Sequence, residues 1–284
     1  MRSVGIVPHS EREIALDLAR RTAAWFEERD VEVRLPDMEA GAARLERCSA
    51  SGTAFAEGLD LVIAIGGDGT MLHAVELAYP EDVPLLGVNV GQMGYLTSIE
   101  PEDVEAALPR LLSGSYSVSD RTVLELSVES DEGTVGSWFA LNEAVLEKVH
   151  AGHLVRLDVS IDSSYFTTYA ADGVIVATAT GSTAYSFSAR GPIVSPNLRC
   201  LILTPVSPHM LFDRALVLAP EEALRLVVGG SRTVALTVDG REITELRPGD
   251  TVRCAVAARA ARMVSLAPRD FHKILKAKFA LPDR

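Results

Sequence analysis

Along the first 118 residues, apolar positions follow two rhythms in turn. Val4-Gly5-Ile6-Val7 is a short apolar run of the kind a buried strand needs. Ile14, Leu18, Ala19, Thr22, Trp25 and Phe26 then fall at helical spacing, which predicts an amphipathic helix over roughly 10–29. Val31 to Leu35 alternates like a second strand. Leu61-Val62-Ile63-Ala64-Ile65 is apolar throughout, as expected of a strand covered on both faces in a parallel sheet. Thr70 to Tyr79 reads as its crossover helix, Leu85 to Asn89 as a fourth strand, and Pro101 to Leu112 as a helix with proline near its first turn. This alternation implies an open, mainly parallel α/β sheet with right-handed crossovers.

The rhythm changes near "SGSYSVSDRT", 113–122. Short alternating stretches follow at 122–129, 135–141, 154–161, 173–178, 200–205, 214–218, 223–228, 233–238 and 251–257, separated by turns such as Asp239-Gly240 and Pro248-Gly249-Asp250. They predict a β-rich C-terminal domain. In "RDFHKILKAKFALPDR", Phe271, Ile274, Leu275 and Phe279 return to helical spacing, so a C-terminal helix is expected to pack back on the first domain. The division expected is residues 1–118, joined by about 268–284, as the α/β domain and 119–267 as the β-rich domain.

Composition narrows the function. An apolar fraction of 48% with 23% charged residues is that of an ordinary globular chain. The net charge of −12 argues against nucleic acid or an anionic membrane as partner, so any polyphosphate must be met by a local site. Cys48, Cys200 and Cys254 are scattered and odd in number, which fits neither a disulfide framework nor a zinc site. Nothing reads as a membrane span or signal peptide. A cytoplasmic protein without a metal cage of its own is expected.

Chemistry concentrates first at Gly66-Gly67-Asp68-Gly69-Thr70, directly after the apolar strand. Ligands of open α/β sheets gather beyond the carboxyl ends of strands. There Gly66, Gly67 and Thr70 suit phosphate oxygens, because glycines admit backbone N–H groups closely and a helix start favours anions. Asp68 repels phosphate, so its role there would be to hold or deprotonate an attacking hydroxyl. The other reading is a tight turn in which Asp68 caps the helix. This stretch alone does not choose between them, and it is not a Walker A loop, since no Lys follows the last glycine.

A second cluster, "ADGVIVATATGSTAYSFSARGPIV" at 171–194, decides for a ligand. Thr178, Thr180, Ser182, Thr183, Ser186 and Ser188 place small donors around Gly181, and Tyr185 adds an aromatic surface. Such a loop suits a polar ligand with an aromatic ring and ribose hydroxyls.

In order, "GGDGT" (66–70), "LLGVNVGQMGYLT" (85–97), "LNEAVLEK" (141–148), "DGVIVATATGSTAYSFSARGPIV" (172–194), "LTPVSPH" (203–209) and "TVDG" (237–240) resemble the motifs of the NAD kinase family, over Val4 to about Asp270. That family phosphorylates the 2'-hydroxyl of the adenosine ribose of NAD. The resemblance implies Asp68 as activator of that hydroxyl with Gly69 beside it, and Tyr95 against the adenine side. It implies Asn142 and Glu143 on the adenosine ribose and Asp172 toward the nicotinamide end. Thr180, Thr183, Ala184, Tyr185 and Ser188 would line the adenine and phosphate path, with Asp239 a late acid near the site. It further implies ATP or polyphosphate as donor, Mg²⁺ carried with that donor, and a homodimer or homotetramer.

Two departures stand out. Ala177-Thr178-Ala179-Thr180 replaces the usual Ser-Thr-Pro-Thr, and Arg241 stands where Asp-Gly-Gln would be usual. Rival readings are a lipid or sugar kinase sharing the glycine turn, and a catalytically silent dinucleotide-binding regulator. His73 and His209 read more simply as a helix-surface residue and a turn residue. Arg190 reads equally as a phosphate contact or a solvated side chain.

Overall fold

The computed structural model describes residues 1–92, 94–268 and 270–282. Met93, in the second quoted motif, and Arg269, Asp283 and Arg284, in the C-terminal segment, lie outside the described residues. By its internal contacts the chain divides into two compact units, Met1–Asp120 with Ala261–Arg284, and Arg121–Ala260.

The first unit opens with β1 (Ser3–Pro8), α1 (Glu13–Glu27), β2 (Glu32–Pro36), α2 (Asp37–Ala43) and β3 (Ser49–Ala50). It continues with β4 (Leu61–Gly66), α3 (Asp68–Ala78), β5 (Leu85–Asn89), α4 (Val104–Leu112) and β6 (Ser117–Arg121). Leu61, Ile63 and Ile65 of β4 enter the same core as α1, while Val62 and Ala64, also buried, face the other way. That double cover is why the strand is apolar throughout. Along α1, Leu18, Ala19, Thr22 and Phe26 are buried as their spacing predicts, but Ile14 is 67% exposed and Trp25 only packs at the edge. In α3, Met71, Ala74, Val75 and Ala78 repeat at helical spacing and turn that face inward.

The second unit is two antiparallel sheets. Its elements are β7 (Leu124–Ser130), β8 (Gly133–Ala140), β9 (Glu143–Lys148), β10 (Val155–Ile161), β11 (Ser164–Ala171) and β12 (Gly173–Thr178). After the short helix α5 (Tyr185–Ser188) come β13 (Leu201–Val206), β14 (Leu216–Leu218), β15 (Leu224–Gly229), β16 (Val234–Val238), β17 (Arg241–Leu246) and β18 (Thr251–Val256). The sheets run β11-β10-β15-β18-β7-β8 and β14-β13-β12-β9-β16-β17. One core fills the space between them, and a smaller one covers the outer face of the second sheet. Val174 and Val176 of β12 enter the first core, Ile175 and Ala177 the second, which again explains an unbroken apolar run.

The chain then returns with β19 (Ala261–Ser265) and α6 (Phe271–Lys278). β19 lies beside β5 in parallel, giving the order β3-β2-β1-β4-β5-β19-β6. The expected fold class, an α/β N-terminal part with a mainly parallel sheet, a β-rich C-terminal part and a final helix, is the one observed.

Candidate active site

β4 delivers the glycine turn. Its last residue, Gly66, is followed by Gly67 and then by Asp68, the first residue of α3. A Cβ on Gly66 would overlap Thr70 Oγ1, so only glycine lets the helix start so near the strand end. Asp68 is half-buried and is the first residue of α3, whose N-cap position is taken by Gly67. Its Oδ2 accepts the Tyr95 N–H at 2.8 Å and Oδ1 accepts the Leu96 N–H at 2.9 Å. The capping alternative is therefore not the arrangement adopted. The acid ties the segment after β5 to the turn after β4, and Gly94 permits the approach, since a Cβ there would overlap Asp68 Oδ1. An ionised carboxylate has about four lone-pair sites. With two occupied, each oxygen still has room for a ligand hydroxyl.

Tyr95 is half-buried, and burial together with the Asp68 charge raises its phenol pKa. The Lys278 ammonium of α6 stands over its ring, 4.3 Å from the centroid. Beside the turn opens a cavity of about 780 Å³. His9 beyond β1, Arg12 at the start of α1, Glu39 of α2, and Asp68, Thr70 and His73 of α3 line it. They converge because β1 and β4 are parallel neighbours, so the residues that follow each strand open on one edge of the sheet.

In the second unit β16 turns into β17 through Asp239 and Gly240, at φ of 46° and 78°. The Asp239 carboxylate accepts the N–H groups of Leu141, Asn142 and Glu143 at 2.8, 2.8 and 3.0 Å, which fixes the turn ahead of β9. Burial nevertheless raises the Asp239 pKa. Glu143, 7% exposed, is pushed up to about 8 by burial and by the neighbouring Asp239 charge, against one Tyr185 N–H that favours the anion. Its Oε2 has no hydrogen-bond partner among the described residues. A carboxyl that keeps its proton near neutral pH donates a hydrogen bond as well as accepting one. Asn142 beside it is half-buried.

The hydroxyl-rich loop divides in two. Thr178 Oγ1 donates to the Leu141 carbonyl at 2.6 Å, Ser182 Oγ bonds Val194 through both N–H and carbonyl, and Ser186 pairs with Thr204. These three serve the fold, which corrects the picture of a loop made wholly of ligand donors. Thr180 Oγ1 is buried with no partner among the described residues, and Thr183, Ala184, Tyr185 and Ser188 reach the surface to differing degrees. Asp172 pairs with Lys148 at 2.6 Å. His209, as expected of a turn residue, is held through its backbone N–H on the Ala170 carbonyl. Arg190 is exposed at a φ of 66°. Arg12, Glu39 and Lys278 carried no motif signal, and Gly94 and Lys148 lie inside quoted motifs without a role read for them.

Residues 4–116 match the family model of the ATP-NAD kinase N-terminal domain, and residues 141–266 match that of the ATP-NAD kinase C-terminal domain. The chain belongs to the NAD kinase family. The NAD kinase of Heliobacterium modesticaldum is 40% identical over 279 residues, covering 98% of both chains. That of Moorella thermoacetica is 40% identical over 288 residues, covering 98% of this chain and 89% of the relative. In three dimensions the chain is similar to yeast NADH kinase complexed with NADH, with a TM-score of 0.91 at 25% identity, over 100% of this chain and 89% of the other. It shares its fold with an NAD kinase from Archaeoglobus fulgidus in complex with ATP, with a TM-score of 0.72 at 23% identity over 99% and 98%. The two matched NAD kinase ranges contain Asp68 and Tyr95, and Asn142 through Asp239, respectively.

Proposed function

We propose that the protein is an NAD kinase that transfers the terminal phosphoryl group of ATP, or of polyphosphate, to the 2'-hydroxyl of the adenosine ribose of NAD, giving NADP. The observation that carries this is the half-buried Asp68 carboxylate, held by two backbone amides on a glycine turn beside a cavity, within a chain of this family.

In this reading the Gly66-Gly67 turn and Thr70 bind donor phosphates through backbone N–H groups and the start of α3. Asp68 takes the proton of the ribose hydroxyl. The freed oxygen forms its bond to the γ-phosphorus as the bond to the β,γ-bridging oxygen breaks and ADP leaves. Gly69 keeps the space beside Asp68 open, and Tyr95 offers its ring to the adenine side. Asn142 and the protonated Glu143 hydrogen-bond the adenosine ribose, with Asp239 fixing both from below. Thr180, with its unpartnered hydroxyl, Thr183, Ala184, Tyr185 and Ser188 line the adenine and phosphate path, and Asp172 serves the nicotinamide end. Positioning and charge neutralisation supply most of the rate.

Among the described residues no three His, Cys, Asp or Glu side chains form a metal-binding group. A donor-borne divalent cation fits that picture, since Mg²⁺ binds largely through nucleotide phosphates and few carboxylates. Mg²⁺ would neutralise phosphate charge, with Asp68 the acid beside it. Among the described residues no helix is long and apolar enough to cross a membrane. A cytoplasmic location rests on the three unpaired cysteines, and a homodimeric or homotetrameric assembly on the family resemblance. The lipid or sugar kinase and the silent regulator gain no support from the comparisons. Incubation with NAD, a divalent cation and either ATP or polyphosphate, followed by an NADP assay, tests the reading. Absence of NADP with both donors would overturn it.

A further inference from the structure

His73 lies on α3 beyond Thr70 and lines the same cavity as Asp68. Its Nε2 is 3.3 Å from Glu39 Oε1, and its Nδ1 is 3.7 Å from Glu76 Oε2 on its own helix. The Glu39 side chain is only 10% exposed, the imidazole 43%. Burying an acid is costly unless it is paired. Here Nε2 faces the buried Glu39 carboxylate, while Nδ1 faces the more exposed Glu76 at the longer distance and is the edge at which a phosphate oxygen could replace the carboxylate. The Glu39 hydrogen bond raises the His73 pKa and lowers that of Glu39, so the two favour the ion pair. The other charged or titratable side chains lining the cavity are His9, Arg12 and Asp68. The Arg12 guanidinium is turned onto the Val90 carbonyl, and the His73 imidazolium, sharing its charge with Glu39 and Glu76, stands beside the cavity in the second turn of α3.

We propose that His73, braced by Glu39, is a binding residue for the phosphoryl donor, contacting the phosphate chain that a nucleoside triphosphate and inorganic polyphosphate have in common. This rests on the reading that donor phosphates lie at the Gly66-Gly67 turn. A helix-to-helix clamp between α2 and α3 is the structural alternative, and it makes different predictions.

The test combines steady-state kinetics, calorimetric binding of inorganic tripolyphosphate and thermal melting for wild type, His73→Ala, His73→Gln, His73→Lys and Glu39→Gln. One lost charge-assisted hydrogen bond corresponds to about tenfold or more in affinity. The alanine and glutamine variants are therefore expected to raise the KM for ATP and weaken tripolyphosphate by that factor, with the KM for NAD unchanged and lysine restoring much of the loss. Wild-type KM for ATP should climb as pH rises through the His73 pKa, at lower pH in Glu39→Gln, and the lysine variant should lack this step. Tripolyphosphate affinity and ATP KM equal to wild type in His73→Gln, with only the melting temperature lowered, would establish the clamp and overturn the proposal. If wild type makes no NADP with ATP or polyphosphate, the functional reading fails. The tripolyphosphate titration then still judges His73 separately.

Discussion

Gly181 is pressed against the backbone of Asn142: a Cβ on the glycine would overlap the Asn142 carbonyl oxygen and come within 2.8 Å of its Cα. The same carbonyl accepts the Thr178 N–H at 2.8 Å, so it cannot swing away without breaking the link between β12 and the turn before β9. Gly181→Ala is therefore expected to cost roughly 1–3 kcal/mol of stability through overpacking. It should also raise the KM for NAD by shifting Asn142. Thermal melts and NAD titrations check the two effects.

Asp68→Asn should do more than remove a base. An amide has one acceptor oxygen, so either the Tyr95 or the Leu96 N–H would face an N–H₂ group. Turnover is expected to fall by about 10²–10⁴-fold, the usual worth of a positioned base. Hydrogen exchange at Tyr95 and Leu96 should speed up as the segment loosens. Near-native turnover would remove Asp68 from the chemistry.

Glu143 makes stability depend on pH with a definite sign. Its folded-state pKa of about 8 lies above its ordinary 4.5, so the fold prefers the protonated form. The resulting stability is complete below about 4.5 and lost as pH rises through about 8. Glu143→Gln keeps the neutral shape, so its melting temperature should decline less than that of wild type between pH 5 and 8.5. Equal slopes in the two proteins would show that the acid is already ionised.

The Lys278 ammonium over Tyr95 is an exposed cation–π contact, and such contacts contribute about 0.5–1 kcal/mol. Lys278→Ala should destabilise by that amount, and by much less in a Tyr95→Leu background. Denaturant melts of the two single variants and the double variant close this cycle.

How much of this could be read beforehand follows from which forces are local. β4 and β12 were legible because both faces of each are covered, so every residue is apolar. β11, with its exposed Ser164, Tyr165 and Phe166, and β17, which begins Arg241-Glu242, were missed. Strands that face solvent over much of their length carry no clean alternation. α2 escaped because seven residues hold too few helical repeats to register. At the site, the glycine turn announced itself, since its need for small residues is written locally. That Asp68 holds Tyr95 and Leu96, or that Glu39 stands behind His73, depends on which strands become neighbours. The hydroxyls of Thr178, Ser182 and Ser186 were legible as a cluster, but not that the fold itself uses them.

Strand β19 occupies a slot between β5 and β6, although some 170 residues separate Asn89 from Ala261. A nascent chain made at about 5–20 residues per second needs on the order of ten to thirty seconds to supply it. Throughout that interval the Leu85 end of β5, where Met263 will pair, stays an open strand edge, while Gly87 and Asn89 are already held by Ser98 and Ile99; an open edge of this kind recruits strands from other molecules. Early stalling of the ribosome, or loss of the last two dozen residues, would thus expose a sticky seam in the half of the protein that was made first.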